Sequence, residues 1–127
     1  MQQGQKNILV VNDEKDMLDQ IQRWLDVAGY LVKCTPSAED GVKLFGKNHF
    51  DLVLLDYNLK AEKAGARTAK TYIPMFKKIN PAIPIVIVSA TESELDQKEL
   101  GVAEVIILHP AIWKSLPQRI QGILSKQ

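Results

Sequence analysis

Leu52-Val53-Leu54-Leu55-Asp56 is an unbroken apolar run closed by a carboxylate, and Ile8-Leu9-Val10-Val11 repeats the pattern just before Asn12-Asp13-Glu14. A strand apolar at every position suits a parallel sheet covered on both faces. In such a sheet, ligands bind at the carboxyl ends of the strands. Two strands ending in carboxylate therefore point to one acidic pocket. A compact acidic pocket needs a cation, and hard oxygen donors suit Mg²⁺. An aspartate held beside that ion can accept a phosphoryl group.

Working outward, short apolar runs alternate with helix-period segments along the whole chain. Strands are expected at 7–12, 31–35, 51–56, 84–89 and 105–108. The first helix is expected at 14–28, where Met17, Leu18, Ile21, Trp24, Leu25 and Ala28 share one face and Gly29 provides the stop. Ser37 caps a second helix over 38–47, with Glu39 and Asp40 in its first turn. A third helix at 68–79 contains Pro74, which predicts a kink or a late start. Residues 92–100 form a short helix, and Ser115 caps a last one that tolerates Pro117 in its first turn. The stretch Tyr57–Arg67 has no period and reads as a loop. The fold expected is α/β: a single doubly wound, flavodoxin-like sheet of five parallel strands, (βα)5, in one domain over 1–127.

Composition narrows the function. A net charge of +1, with no basic run, gives no electrostatic footprint for nucleic acid. No apolar stretch is long enough to span a bilayer, and residues 1–6 lack a signal-peptide core, so a cytoplasmic protein is expected. One cysteine, Cys34, excludes an internal disulfide and reads as a small core residue. Trp24 and Trp113 read as packing residues, and Lys60, Lys63, Lys70, Lys77 and Lys78 as a solvated surface.

Four strand ends carry chemistry: Asn12-Asp13, Asp56, Ser89 and His109-Pro110. Each alone is commonplace, since an Asp after an apolar strand is commonly a loop residue or a cap. Their order is not. Together with Ile83-Pro84-Ile85-Val86-Ile87-Val88-Ser89-Ala90, they make the chain resemble, over nearly its whole length, a response-regulator receiver domain of two-component signalling. That resemblance implies that Asp56 is the phosphoacceptor, charged by a histidine kinase or a histidine phosphotransfer protein. It implies Mg²⁺ on Asp13, Asp56 and the backbone carbonyl of Asn58, with Asn12 holding the ion through a water. Ser89 would donate its hydroxyl to a phosphoryl oxygen, while Asn58 and Thr91 would tune dephosphorylation. The output would leave through 92–126, by self-association or a downstream protein. The chain is then a signalling domain that at most catalyses its own phosphorylation and dephosphorylation.

Four departures qualify the match. Asn12 stands where the family has an acid. His109 stands where it has a lysine, so a conditional cation replaces a permanent one. These two changes roughly cancel in charge. Ile106 stands at the switch aromatic, and the 57–67 loop lacks the usual proline-glycine pattern and is extended, with 33 positions separating Asp56 from Ser89. His109 and Ile106 sustain an alternative: a pseudo-receiver used as a phosphorylation-independent interaction module. A nucleotide-binding enzyme is disfavoured because no glycine-rich phosphate cradle or Walker motif occurs. A phosphatase of related architecture would want an acid at position 58, which is Asn.

Overall fold

The structure is a computed structural model that describes residues 5–12, 14–56, 58–59, 67–89, 104–107 and 116–125. Its elements are β1 (Asn7–Val11), α1 (Lys15–Val27), β2 (Leu31–Thr35), α2 (Ala38–Lys47), β3 (Leu52–Asp56), β4 (Asn58–Leu59), β5 (Arg67–Thr68), α3 (Ala69–Ile79), β6 (Ile85–Ser89), β7 (Glu104–Ile107) and α4 (Leu116–Leu124). β1, β2, β3, β6 and β7 form one sheet in the order β2-β1-β3-β6-β7, with every pairing parallel. The α/β class is as expected. The helix expected at 92–100 lies outside the described residues.

Strict alternation along the central strands sorts the core. Leu9, Val11, Val53, Leu55, Ile85 and Ile87 point to one face, where Phe45 of α2 and Tyr72, Ile73 and Phe76 of α3 cover them. Ile8, Val10, Leu52, Leu54 and Val86 point to the other, under Leu18, Ile21 and Leu25 of α1 and Leu116 and Ile120 of α4. Two buried faces explain why these strands are apolar throughout. Burying each such side chain contributes roughly 1.5–3 kcal/mol.

The helix ends follow their chemistry. Gly29 has φ +95°, and the amides of Gly29 and Tyr30 donate to the carbonyls of Asp26 and Leu25 at 3.0 Å each, a Schellman closure of α1. Ser37 Oγ accepts the Asp40 amide at 3.2 Å and caps α2.

Two expectations need correction. Tyr57–Arg67 is not simply a loop: Asn58–Leu59 and Arg67–Thr68 pair as an antiparallel ribbon, Asn58 with Thr68 and Leu59 with Arg67. It breaks the regular (βα)5 alternation between β3 and α3. Two-residue strands are too short for any period to show in sequence. In addition, the late start that Pro74 allowed does not occur: α3 begins at Ala69, and Pro74 lies inside it, as expected, with an exposed side chain. The proline forfeits one backbone bond to the carbonyl four residues earlier, and the burial of Tyr72, Ile73 and Phe76 outweighs that loss.

Candidate functional site

The strand order reverses between β1 and β3. The chain leaves β1 toward β2 and leaves β3 toward β6, so a crevice opens at the carboxyl ends of the two central strands. Val11 pairs with Leu55, which sets Asn12 and Asp56 at neighbouring strand ends. Asp56 pairs in turn with Val88, and Ser89, the last residue of β6, pairs with Ile107. The backbone therefore brings the ends carrying Asn12, Asp56 and Ser89 to one edge of the sheet.

Asp56 is half-buried. Asn12 is 3% exposed, and both its backbone and side chain are engaged. Its amide donates to the Thr35 carbonyl at 3.2 Å, and its Oδ1 accepts the Glu14 amide at 2.9 Å. This Asx-turn satisfies an amide at the entry to α1, where Glu14 makes no side-chain cap bond. The rim continues through Thr35, whose Oγ1 accepts the Ser37 amide at 3.2 Å. Beyond it, Tyr72 Oη donates to Glu39 Oε1 at 3.2 Å, joining the first turns of α3 and α2. Sequence reading placed Glu39 only in a first turn and assigned it no partner. Its contact with Tyr72 spans 33 positions, a separation at which sequence carries no local signal.

Of the other expected site residues, the backbone of Asn58 opens β4, two positions past Asp56. Asp13, Thr91 and His109 lie outside the described residues. Carboxylate and carbonyl oxygens are the donors Mg²⁺ takes, and Asp56 with the Asn58 backbone supplies that donor type at the strand end. Among the described residues no cluster of three His, Cys, Asp or Glu forms, and Asp13 is not one of those residues. Cys34 takes no part in the site: it is half-buried, its Sγ lies 3.7 Å from Gln22 Oε1, and its thiol is pushed up to about 11 by burial and then by Asp26 and Asp19.

Comparison with known proteins agrees with this geometry. The model of the response regulator receiver domain matches residues 8–107. The chain is 29% identical over 126 residues to the probable transcriptional regulator ycf27 of Cyanidium caldarium, covering 96% of this chain and 47% of that protein. It is 34% identical over 110 residues to the transcriptional regulatory protein ZraR of Salmonella typhimurium, covering 84% of this chain and 24% of the relative. The chain thus spans half or less of the length of these relatives. Among solved structures, a CheY-like receiver domain protein from Methanospirillum hungatei superposes with a TM-score of 0.78 at 22% identity, covering 97% and 96% of the two chains. TrrA from Thermotoga maritima, solved in complex with Mg²⁺ and BeF, gives 0.79 at 20% identity over 93% and 98%. With the family model covering most of its length and the strand ends in family order, the chain belongs to the response regulator receiver domain family.

Proposed function

We propose that this chain accepts a phosphoryl group on Asp56 from a histidine kinase or a histidine phosphotransfer protein, as the receiver of a two-component relay in the cytoplasm. The observation that supports this reading is the place of Asp56: half-buried, last in a central strand, and beside the point where strand order reverses. In the transfer, an Asp56 carboxylate oxygen forms a bond to phosphorus in line as the P–N bond of the donor phosphohistidine breaks. The electron pair returns to the imidazole nitrogen, which takes up a proton from solvent. Nothing is oxidised or reduced.

Asp13, Asp56 and the Asn58 carbonyl would hold Mg²⁺, which when bound neutralises charge on the transferred oxygens. Ser89 donates its hydroxyl to a phosphoryl oxygen. His109, when protonated, supplies the cation that a lysine supplies elsewhere in the family. Asn58 and Thr91 set access of water to the aspartyl phosphate. A second reading, a phosphorylation-independent interaction module, draws support from Asn12, which is uncharged and has its Oδ1 committed to the Glu14 amide.

Incubation with acetyl phosphate and Mg²⁺, followed by intact mass, separates the two readings. A single phosphoryl adduct on the wild type and none on Asp56→Asn is the expected result. A folded wild type that stays unmodified between pH 6 and 8 would support the interaction module instead.

A further inference from the structure

We propose that phosphorylation at Asp56 is relayed to α3 and α2 through the β4–β5 ribbon and the Tyr72–Glu39 hydrogen bond. The proposal rests on the reading of Asp56 as the phosphoacceptor.

The path is short and crosses one backbone pair. Asn58 lies two positions past Asp56 and pairs with Thr68, and α3 begins at the next residue, Ala69. A displacement of the chain leaving β3 is therefore passed across one ladder pair into the first turn of α3. That turn carries Tyr72, which is 3% exposed, so its ring cannot move without moving its surroundings. Its hydroxyl donates to Glu39 Oε1 at 3.2 Å, and Glu39 lies in the first turn of α2. A hydrogen bond to a carboxylate is stronger than a neutral one and is either made or lost, as a two-position element requires.

Below that bond the two helices are packed tightly. Phe45 meets Phe76 edge to face with centroids 5.3 Å apart, and a Cβ placed on Gly46 would lie 3.9 Å from Ile79 Cδ1. A shift in α3 is therefore felt along α2. On the opposite side of the sheet edge, Ile106 in β7 offers no aromatic ring to carry the same signal. The surface that would change includes the outer side of α3, where Met75 and Ile79 are 41% and 47% exposed.

Hydrogen exchange of the whole chain, read by mass spectrometry before and after acetyl phosphate, tests the relay. Intact mass is taken first, so that failure of phosphorylation is seen separately; without an adduct both the relay and the reading beneath it fall. With the adduct present, amides in 69–79 and 38–47 should change exchange rate severalfold. Tyr72→Phe should be phosphorylated to the same extent and keep the α3 response while that of α2, left with the ring packing alone, shrinks severalfold. Glu39→Ala, which removes the acceptor from the exposed end without touching the core, should do the same, and Glu39→Gln should restore the α2 response. An α2 response of full size in both Tyr72→Phe and Glu39→Ala would overturn the proposal. So would an adduct whose effect is confined to 92–126.

Discussion

Asn12 shows how one amide can serve the fold where an acid would serve the metal. Its Oδ1 holds the Glu14 amide, a task an aspartate performs equally well. Asn12→Asp should therefore leave thermal stability nearly unchanged while raising Mg²⁺ affinity about tenfold through the added charge. Calorimetric titration would show it, and an unchanged affinity would place this side chain too far from the ion to matter. His109 carries the opposite change. If it replaces the lysine, phosphorylation by acetyl phosphate should quicken as pH falls from about 8 to about 6, where imidazole takes up its proton. His109→Lys should flatten that profile, once the donor's own pH behaviour is subtracted. Cys34 gives a third titration. With the thiol pushed up to about 11, its thiolate fraction at neutral to mildly alkaline pH is small. Alkylation at pH 8 should run about a hundredfold slower than for an ordinary thiol. The folded state favours the protonated thiol, so this group's contribution to stability is intact below the ordinary thiol pKa and is lost as pH rises toward about 11. Alkylation of the native chain as fast as of the denatured one would contradict this.

Elements whose ends are fixed by local chemistry were legible in sequence. Ser37 and the following acids placed α2 at Ala38–Lys47, and Gly29 placed the end of α1. Gly29→Ala should lower stability by about 1 kcal/mol, because its φ of +95° strains any side chain although nothing lies within 4 Å of the added Cβ. Gly41→Ala should lose about 1–3 kcal/mol for a different reason: the new Cβ would lie 2.9 Å from Val11 Cγ2, where α2 crosses the strand leading to the site. Urea unfolding measures both, and a neutral Gly41→Ala would mean that Val11 can yield. The β4–β5 ribbon was not legible. Two residues per strand carry no periodicity, and the pairing of Asn58 with Thr68 joins parts of the chain ten positions apart. The helix around Pro74 was legible despite that residue's low propensity, and the burial of Tyr72, Ile73 and Phe76 explains why it does not start late.

The whole molecule was the most legible level, since apolar strands ending in polar residues imply both a covered parallel sheet and a site at its carboxyl edge. The parallel pairing, the two-sided core and the neighbouring ends of β1 and β3 all follow that expectation. Contacts made only in three dimensions, such as Tyr72 with Glu39 and the Asn7 amide with Asp51 Oδ2 at 2.8 Å, were beyond its reach. What the assembled edge does chemically is the central matter, and it turns on Asp56. The most direct test is to treat the full chain with acetyl phosphate and Mg²⁺, reduce it with borohydride, and map the peptides. An aspartyl phosphate is reduced to homoserine, so the expected result is homoserine at position 56 alone, and none when the phosphodonor is omitted. Homoserine at another position, or an unreduced Asp56 in a folded chain, would contradict the assignment of this strand end as the phosphoacceptor.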